Sequence, residues 1–245
     1  MLAGIIFPTR GDARVLGYRP WERNNELRRQ IALIMGQKAQ LWWDLPAADC
    51  FLLLREIYRI PKERFDATLG GLVKLLDVKD QLNIQIRRLS LGERMKMELI
   101  AALLHSPRVV YLDEPTIGLN ITAQRSIREF ILRYQSERRP AMILTSHYME
   151  DIERLCRRIM IIRDGTIVYD GSLQEVVTAY AQHGQRSQHT DDWNDQDFVG
   201  LILGLPEKAF SWGTSSRRRW PSACPWIAIQ VTVVSALQNN QVLTV

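Results

Sequence analysis

The stretch "VVYLDEPTIGLN", residues 109–120, limits what this chain can fold into more than any other. Four apolar residues lead directly into adjacent Asp113 and Glu114, then Pro115. A short unbroken apolar run bounded by turn signals reads as a strand buried on both faces, as in the interior of a parallel sheet. Its acids then fall at the C-terminal end of the strand, the rim where open α/β sheets bind ligands. Two further runs, "AMILTS" (141–146) and "IMII" (159–162), follow with helical patterns around 122–138 and 148–157 between them. Strands alternating with helices predict an α/β fold with a mostly parallel sheet.

Upstream, "ARVLGY" (13–18) and "IALIMG" (31–36) read as short strands separated by the charged "RPWERNNELRRQ". From Pro46 to about Arg59, Phe51, Leu54 and Tyr58 recur at helical spacing. Pro61 breaks that helix, and a second runs through "FDATLGGLVKLLDV". A long helix then starts at Ser90 and ends before Pro107. "RDGTIVYDG" places Asp164-Gly165 as a hairpin turn. After about Ala181 the pattern is lost. The final "IAIQVTVVSALQNNQVLTV" is locally β-like with no evident partner.

A hydrophobic content of 46% and a charged content of 24% fit a globular domain. No apolar run approaches the roughly 18 residues of a membrane-spanning helix, and the N-terminus has no secretion-signal pattern. The three cysteines are scattered without metal-ligand spacing, which points to reduced thiols. The net charge of +5 sits within residues 1–180, because acidic and basic residues balance after that point. A basic surface could meet nucleotide, nucleic acid or anionic lipid, and charge alone does not choose among them.

Phosphoryl transfer needs a carboxylate to help hold magnesium and a second group to orient or deprotonate water. Asp113 suits the first task and Glu114 the second, although the same dipeptide could simply end a strand with exposed acids. His147 follows the strand "AMILTS", and beside the first strand it would reach the same rim. A histidine there is also an ordinary capping or surface residue. "LSLGER" offers a hydroxyl at Ser90, flexible backbone at Gly92 and a helix N-terminus, the ingredients of an anion site. It is equally a capping box, with Ser90 as cap and Glu93 three residues on.

Taken together, "LSLGER", "HSPRVVYLDEPTIGLN" and "MILTSHYMEDIERLC" resemble the nucleotide-binding subunit of an ABC transporter over roughly residues 1–178. The resemblance implies a P-loop NTPase-like lobe, incomplete at the N-terminus, with a small helical subdomain at about 45–105 within a partial ATPase domain of residues 1–180; beyond it, residues 181–245 read as a divergent or disordered tail. It implies ATP and Mg2+ as ligands. Asp113 resembles the magnesium carboxylate, Glu114 the catalytic base and His147 the switch histidine. Ser90 and Gly92 resemble the signature that contacts ATP on the opposite subunit. Gln37 resembles the glutamine that senses magnesium and the attacking water, with Gln40 a second candidate in the same stretch. Asn120 stands where the family usually has an aspartate in the D-loop, and Leu91 and Glu93 replace the usual third and fifth signature residues. The implied partners are a transmembrane permease subunit and a second ATPase subunit, on the inner face of the cell membrane. Nucleic acid is disfavoured, because the stretch between Gln37 and Ser90 is too short for the long coiled coil of DNA-repair relatives.

One family element is missing. The phosphate loop Gly-x-x-x-x-Gly-Lys-Ser/Thr does not occur, and none of the six lysines is followed by Ser or Thr. The expectation is that this loop, its strand and the adenine-stacking aromatic lie upstream of Met1. The chain alone is then expected to bind ATP weakly or not at all, to hydrolyse little, and to depend on an intact partner. A non-catalytic subunit, or a decayed fragment that only completes a partner's site, is the alternative. For the tail, a shift of coding frame near residue 181 and a genuine extension both remain open.

Overall fold

The structure, a computed structural model, describes residues 1–146, 148–163, 166–175, 230–235 and 243–244. They divide into two compact units, one of residues 1–144 with 243–244, the other of residues 145–146, 148–163, 166–175 and 230–235. The expected α/β fold, a mostly parallel sheet with flanking helices, is present.

The first unit opens with β1 (Arg14–Val15). A 3-10 turn at Pro20–Glu22 and the short α1 (Asn25–Arg28) follow, both within the charged stretch. Strand β2 (Ile31–Met35) comes next, then the helices α2 (Ala47–Tyr58), α3 (Lys62–Leu76) and α4 (Leu91–Leu103). Strand β3 (Val109–Asp113), helix α5 (Ile121–Arg138) and strand β4 (Ala141–Thr145) complete the pattern read from the sequence.

Strand β3 lies between β2 and β4. It pairs with β2 in parallel, with Ile31 opposite Val109 and Met35 opposite Asp113. Val109, Val110, Tyr111 and Leu112 are all buried, which is why the run shows no polar alternation. Helix α5 buries Ile127, Phe130, Ile131 and Tyr134, a one-sided stripe at spacings of three and four. Helix α4 buries Met97, Leu99, Ile100 and Leu103 and packs against α2, α3, α5 and β2. It is therefore the central post of this unit.

The second unit holds α6 (Met149–Leu155), β5 (Ile159–Arg163) and β6 (Thr166–Gly171). Strands β5 and β6 pair antiparallel with Arg163 opposite Thr166, and the two expected turn residues between them lie outside the described residues. The last stretch of sequence, read as having no evident partner, does find partners. Strand β7 (Gln230–Ser235) pairs antiparallel with β5, and β8 (Leu243–Thr244) pairs with β1 of the first unit. Strand pairing across such sequence distances leaves no local mark, so the pattern of residues could not reveal it. The rest of the expected tail over 181–245 lies outside the described residues. Among the described residues no helix is long and apolar enough to cross a membrane.

Candidate functional site

The parallel register of β2 and β3 decides what meets at the rim. Because Met35 stands opposite Asp113, both strands end level, and the residues just past them share one edge. The Gly36 N–H donates to the Asp113 carbonyl at 2.8 Å, carrying the pairing one step beyond the strand. Gln37 then reaches across, its Nε2 lying 3.4 Å from Glu114 Oε2. Gln37 is exposed, while Asp113 and Glu114 are half-buried at the edge.

Glu114 is held in an unusual backbone conformation. Its φ is +49°, the left-handed region that a β-carbon disfavours by about 1–2 kcal/mol. The turn after it closes with the Ile117 N–H donating to the Glu114 carbonyl at 3.2 Å and the Leu119 N–H to the Thr116 carbonyl at 3.2 Å. Gly118, at φ +71°, supplies the second left-handed residue. This tight reversal leads into α5, where Asn120 Oδ1 accepts the Ala123 N–H at 2.8 Å. Asn120 is thus the cap of α5 and is exposed beside the turn.

Gly36 escaped the sequence reading. A β-carbon there would lie 2.0 Å from the Glu114 carbonyl oxygen, so only glycine lets the two loops approach. The signal was available as a glycine between an apolar run and a glutamine, but its reason lies in a residue far along the chain.

Ser90 opens α4 with a complete capping box. Its Oγ accepts the Glu93 N–H at 3.3 Å and donates to Glu93 Oε2 at 2.7 Å, while its own N–H donates to the same carboxylate oxygen at 2.9 Å. These bonds hold the Glu93 carboxyl below its ordinary range. The signature segment also lies against the turn that follows Glu114. A β-carbon on Gly92 would meet Ala123 Cβ at 2.9 Å, and Leu91 Cδ2 lies 3.4 Å from the β-carbon position of Gly118. Between these segments is a cavity of about 340 Å3 lined by Gly36, Gln37, Trp43, Leu91, Arg94 and Ile117, among others.

The two glutamines of "GQKAQ" do different things. Gln37 faces Glu114, whereas Gln40 Nε2 donates to the Leu33 carbonyl at 3.0 Å and fastens the loop to β2. Glu98, a second residue the sequence reading missed, is buried on α4 and accepts the N–H groups of Gln40 at 2.8 Å and Leu41 at 3.1 Å. Burial raises its carboxyl pKa, opposed by those two amides and by Arg94.

Gln37, Asp113, Glu114 and Asn120 are therefore gathered around one rim and its adjoining turn, and Ser90 and Gly92 lie beside that turn. His147 lies outside the described residues. Its neighbours form a buried cap, with Ser146 Oγ donating to Asp151 Oδ2 at 2.9 Å and accepting the Tyr148 N–H at 3.1 Å. Among the described residues no group of three or more His, Cys, Asp or Glu side chains could hold a metal. Magnesium bound with a nucleotide needs no such group, because one or two carboxylates plus phosphate oxygens and water suffice. Asp113, at the end of β3, is a carboxylate of the kind such a site uses.

Comparison with known proteins gives a consistent picture. A family model described as "AAA domain, putative AbiEii toxin, Type IV TA system" matches residues 19–150. The ABC transporter ATP-binding protein NatA of Bacillus subtilis is 28% identical over 205 residues, covering 84% of this chain and 80% of NatA. The Nod factor export ATP-binding protein I of a Rhizobium species is 27% identical over 202 residues, covering 82% of this chain and 65% of that protein. The chain spans only 20% to 24% of the length of three ABC transporter family members of Dictyostelium discoideum that it also matches. Among solved structures, an ATP-binding subunit of an ABC transporter superposes with a TM-score of 0.66 at 23% identity, covering 82% of this chain and 80% of that one. At that identity the likeness concerns the fold alone.

Proposed function

The chain belongs to the family described as AAA domain, putative AbiEii toxin, Type IV TA system, and on that premise we propose that it is the ATP-binding subunit of an ABC membrane transporter of the exporter type. The alignments to NatA and to the Nod factor export protein support the transporter reading. The observation that carries it is the approach of Gln37 to Glu114 where β2 and β3 end level. A glutamine and a glutamate at hydrogen-bonding range on a sheet rim can share one water between them, the positioning step of nucleotide hydrolysis. Glu114 takes the proton from that water, Gln37 orients it, and Asp113 with Gln37 would hold magnesium, which neutralises charge on the phosphates when bound. His147, one residue past the rim strand "AMILTS" in sequence, is assigned to the terminal phosphate.

A second reading concerns the division of labour. This chain has no Gly-x-x-x-x-Gly-Lys segment to supply the backbone amides and lysine that cradle phosphates. We therefore assign its productive role to a pair with a second ATPase subunit that carries the loop. There, Ser90 and Gly92 at the start of α4 complete the partner's site, while the site around Glu114 turns over slowly or not at all. The permease partner would meet the exposed apolar surface of Trp42, Trp43, Leu52, Leu53 and Ile57. These residues lie next to and on α2, and large exposed apolar patches mark interaction sites. In that role the protein sits on the cytoplasmic face of the membrane, held by its permease.

The test is to measure ATP hydrolysis by the purified chain alone and after co-expression with a phosphate-loop-bearing ABC ATPase subunit. Activity is expected only in the mixture, and Ser90→Arg in this chain should abolish the increment. Equal hydrolysis with and without this chain, or an increment that Ser90→Arg leaves intact, would defeat the reading.

A further inference from the structure

The loop between β2 and α2 is fastened at its start and its middle to different elements, with Gln37 between the fastenings. At its start the Gly36 N–H is bonded to the carbonyl of Asp113 on β3. At its middle the Gln40 and Leu41 N–H groups converge on a single oxygen, Oε1 of Glu98 on α4. Arg94, one helical turn before Glu98, lies over the Trp43 ring at 4.8 Å from its centroid, so the same face of α4 grips the loop twice. From the Lys38 side the loop is a simple turn, the Lys38 N–H meeting the Met35 carbonyl at 3.2 Å. Only Lys38 and Ala39 separate Gln37 from the amides that Glu98 holds.

A buried carboxylate on an otherwise apolar helix face is costly unless hydrogen-bonded. Here its partners are two amides that leave a strand end and have no ladder to join. One side chain thus satisfies two donors and fixes the spacing between α4 and the loop. Helix α4 begins at Ser90, and eight residues along a helix span about 12 Å. The helix that presents the signature at its N-terminus therefore holds the glutamine loop from its middle.

We propose that Glu98 is a positioning residue for the nucleotide site, setting Gln37 against Glu114 through the amides of Gln40 and Leu41 and tying that contact to the placement of α4. This rests on the ATP-site reading above. It predicts that a change felt at Ser90, such as engagement of a second subunit, reaches Gln37 by way of Glu98.

The test uses the full chain and needs no turnover. Backbone amide exchange is followed at Gln40 and Leu41, and the Gln37 side-chain amide is followed by NMR, assigned by its loss in Gln37→Ala. Glu98→Met removes the acceptor at similar volume, and Glu98→Gln keeps one carbonyl oxygen in place. In Glu98→Met, exchange at both backbone amides should rise about tenfold or more. The Gln37 signal should shift in the direction that Glu114→Ala shifts it. Glu98→Gln should restore both. Should Glu98→Met fail to fold, Glu98→Asp, one methylene shorter, is expected to produce the same two changes. Faster exchange with an unmoved Gln37 signal would reduce Glu98 to a packing role and overturn the proposal, as would unchanged exchange. A wild-type mixture lacking ATPase activity would defeat the functional reading instead, leaving the Gln37 signal to decide this one.

Discussion

Helices α4 and α5 begin with the same device and are reached in opposite ways. Each has a polar side chain accepting the N–H three residues on, Ser90 from Glu93 and Asn120 from Ala123. The approach to α4 is relaxed, through a 3-10 turn at Ile86–Arg88 and extended backbone at Leu89 and Ser90. The approach to α5 puts Glu114 at φ +49° and Gly118 at φ +71°, with Gly36 pressed against the Glu114 carbonyl. A cap alone is an ordinary structural feature. Left-handed backbone also occurs at the helix ends Arg59 and Asp77; what sets Glu114 apart is that its conformation lies at a strand end, beside a glutamine from another loop.

The comparison can be broken most severely at Gly36. Gly36→Ala sets a methyl against a backbone carbonyl that cannot move aside, and we expect a loss of about 3 kcal/mol, the upper end for overpacking. Urea unfolding measures it, and a loss below about 1 kcal/mol would show that the two loops are not pressed together. Ser90→Ala comes next. It removes the cap and the hydroxyl bond to the Glu93 carboxylate, leaving the backbone N–H bond to that carboxylate in place, and should cost about 1–2 kcal/mol against about 1 kcal/mol for Asn120→Ala. Equal losses would mean that the hydroxyl bond to Glu93 adds nothing to the cap.

A smaller effect of opposite sign is expected at Glu114. Asparagine tolerates the left-handed region better than glutamate, so Glu114→Asn should stabilise the fold by about 0.5–1 kcal/mol while removing the proposed base. A destabilised variant would show that the Glu114 carboxylate contributes more to stability than its backbone strain costs.

The smallest effect concerns pH. Ser90 holds the Glu93 carboxyl below its ordinary value of 4.5. A depressed folded pKa contributes stability that is present above the unfolded value and lost as pH falls through the folded one. The stability gap between wild type and Ser90→Ala should therefore narrow on acidification below that ordinary value. A gap that widens there would contradict the assignment of the bond to the ionised carboxylate.

How far these features could be read in advance follows from their range. The capping box at Ser90 arises from residues three apart and was read directly, whereas Asn120 was read only for its place in the D-loop although its cap spans the same short range. The rim was legible because an apolar run ending in two acids can place them at only one end of a buried strand. The short helix at Asn25–Arg28 was not, since its charged stretch buries only Leu27 and shows no apolar period. The need for glycine at position 36 and the grip of Glu98 on Gln40 depend on contacts made far along the chain. No local pattern records them. Glu98 in particular reads as a charged residue in a helix until the fold turns it inward to two unpaired amides.

We propose that residues 1–180 carry the acid-and-glutamine part of an ATP site, and these residues contain no Gly-x-x-x-x-Gly-Lys segment. Calorimetric titration of the isolated chain with MgATP tests it most directly. The account predicts no saturable binding up to about 1 mM, a binding free energy no better than about −4 kcal/mol. A dissociation constant in the micromolar range would contradict it, because the residues present would then hold the nucleotide without a phosphate loop.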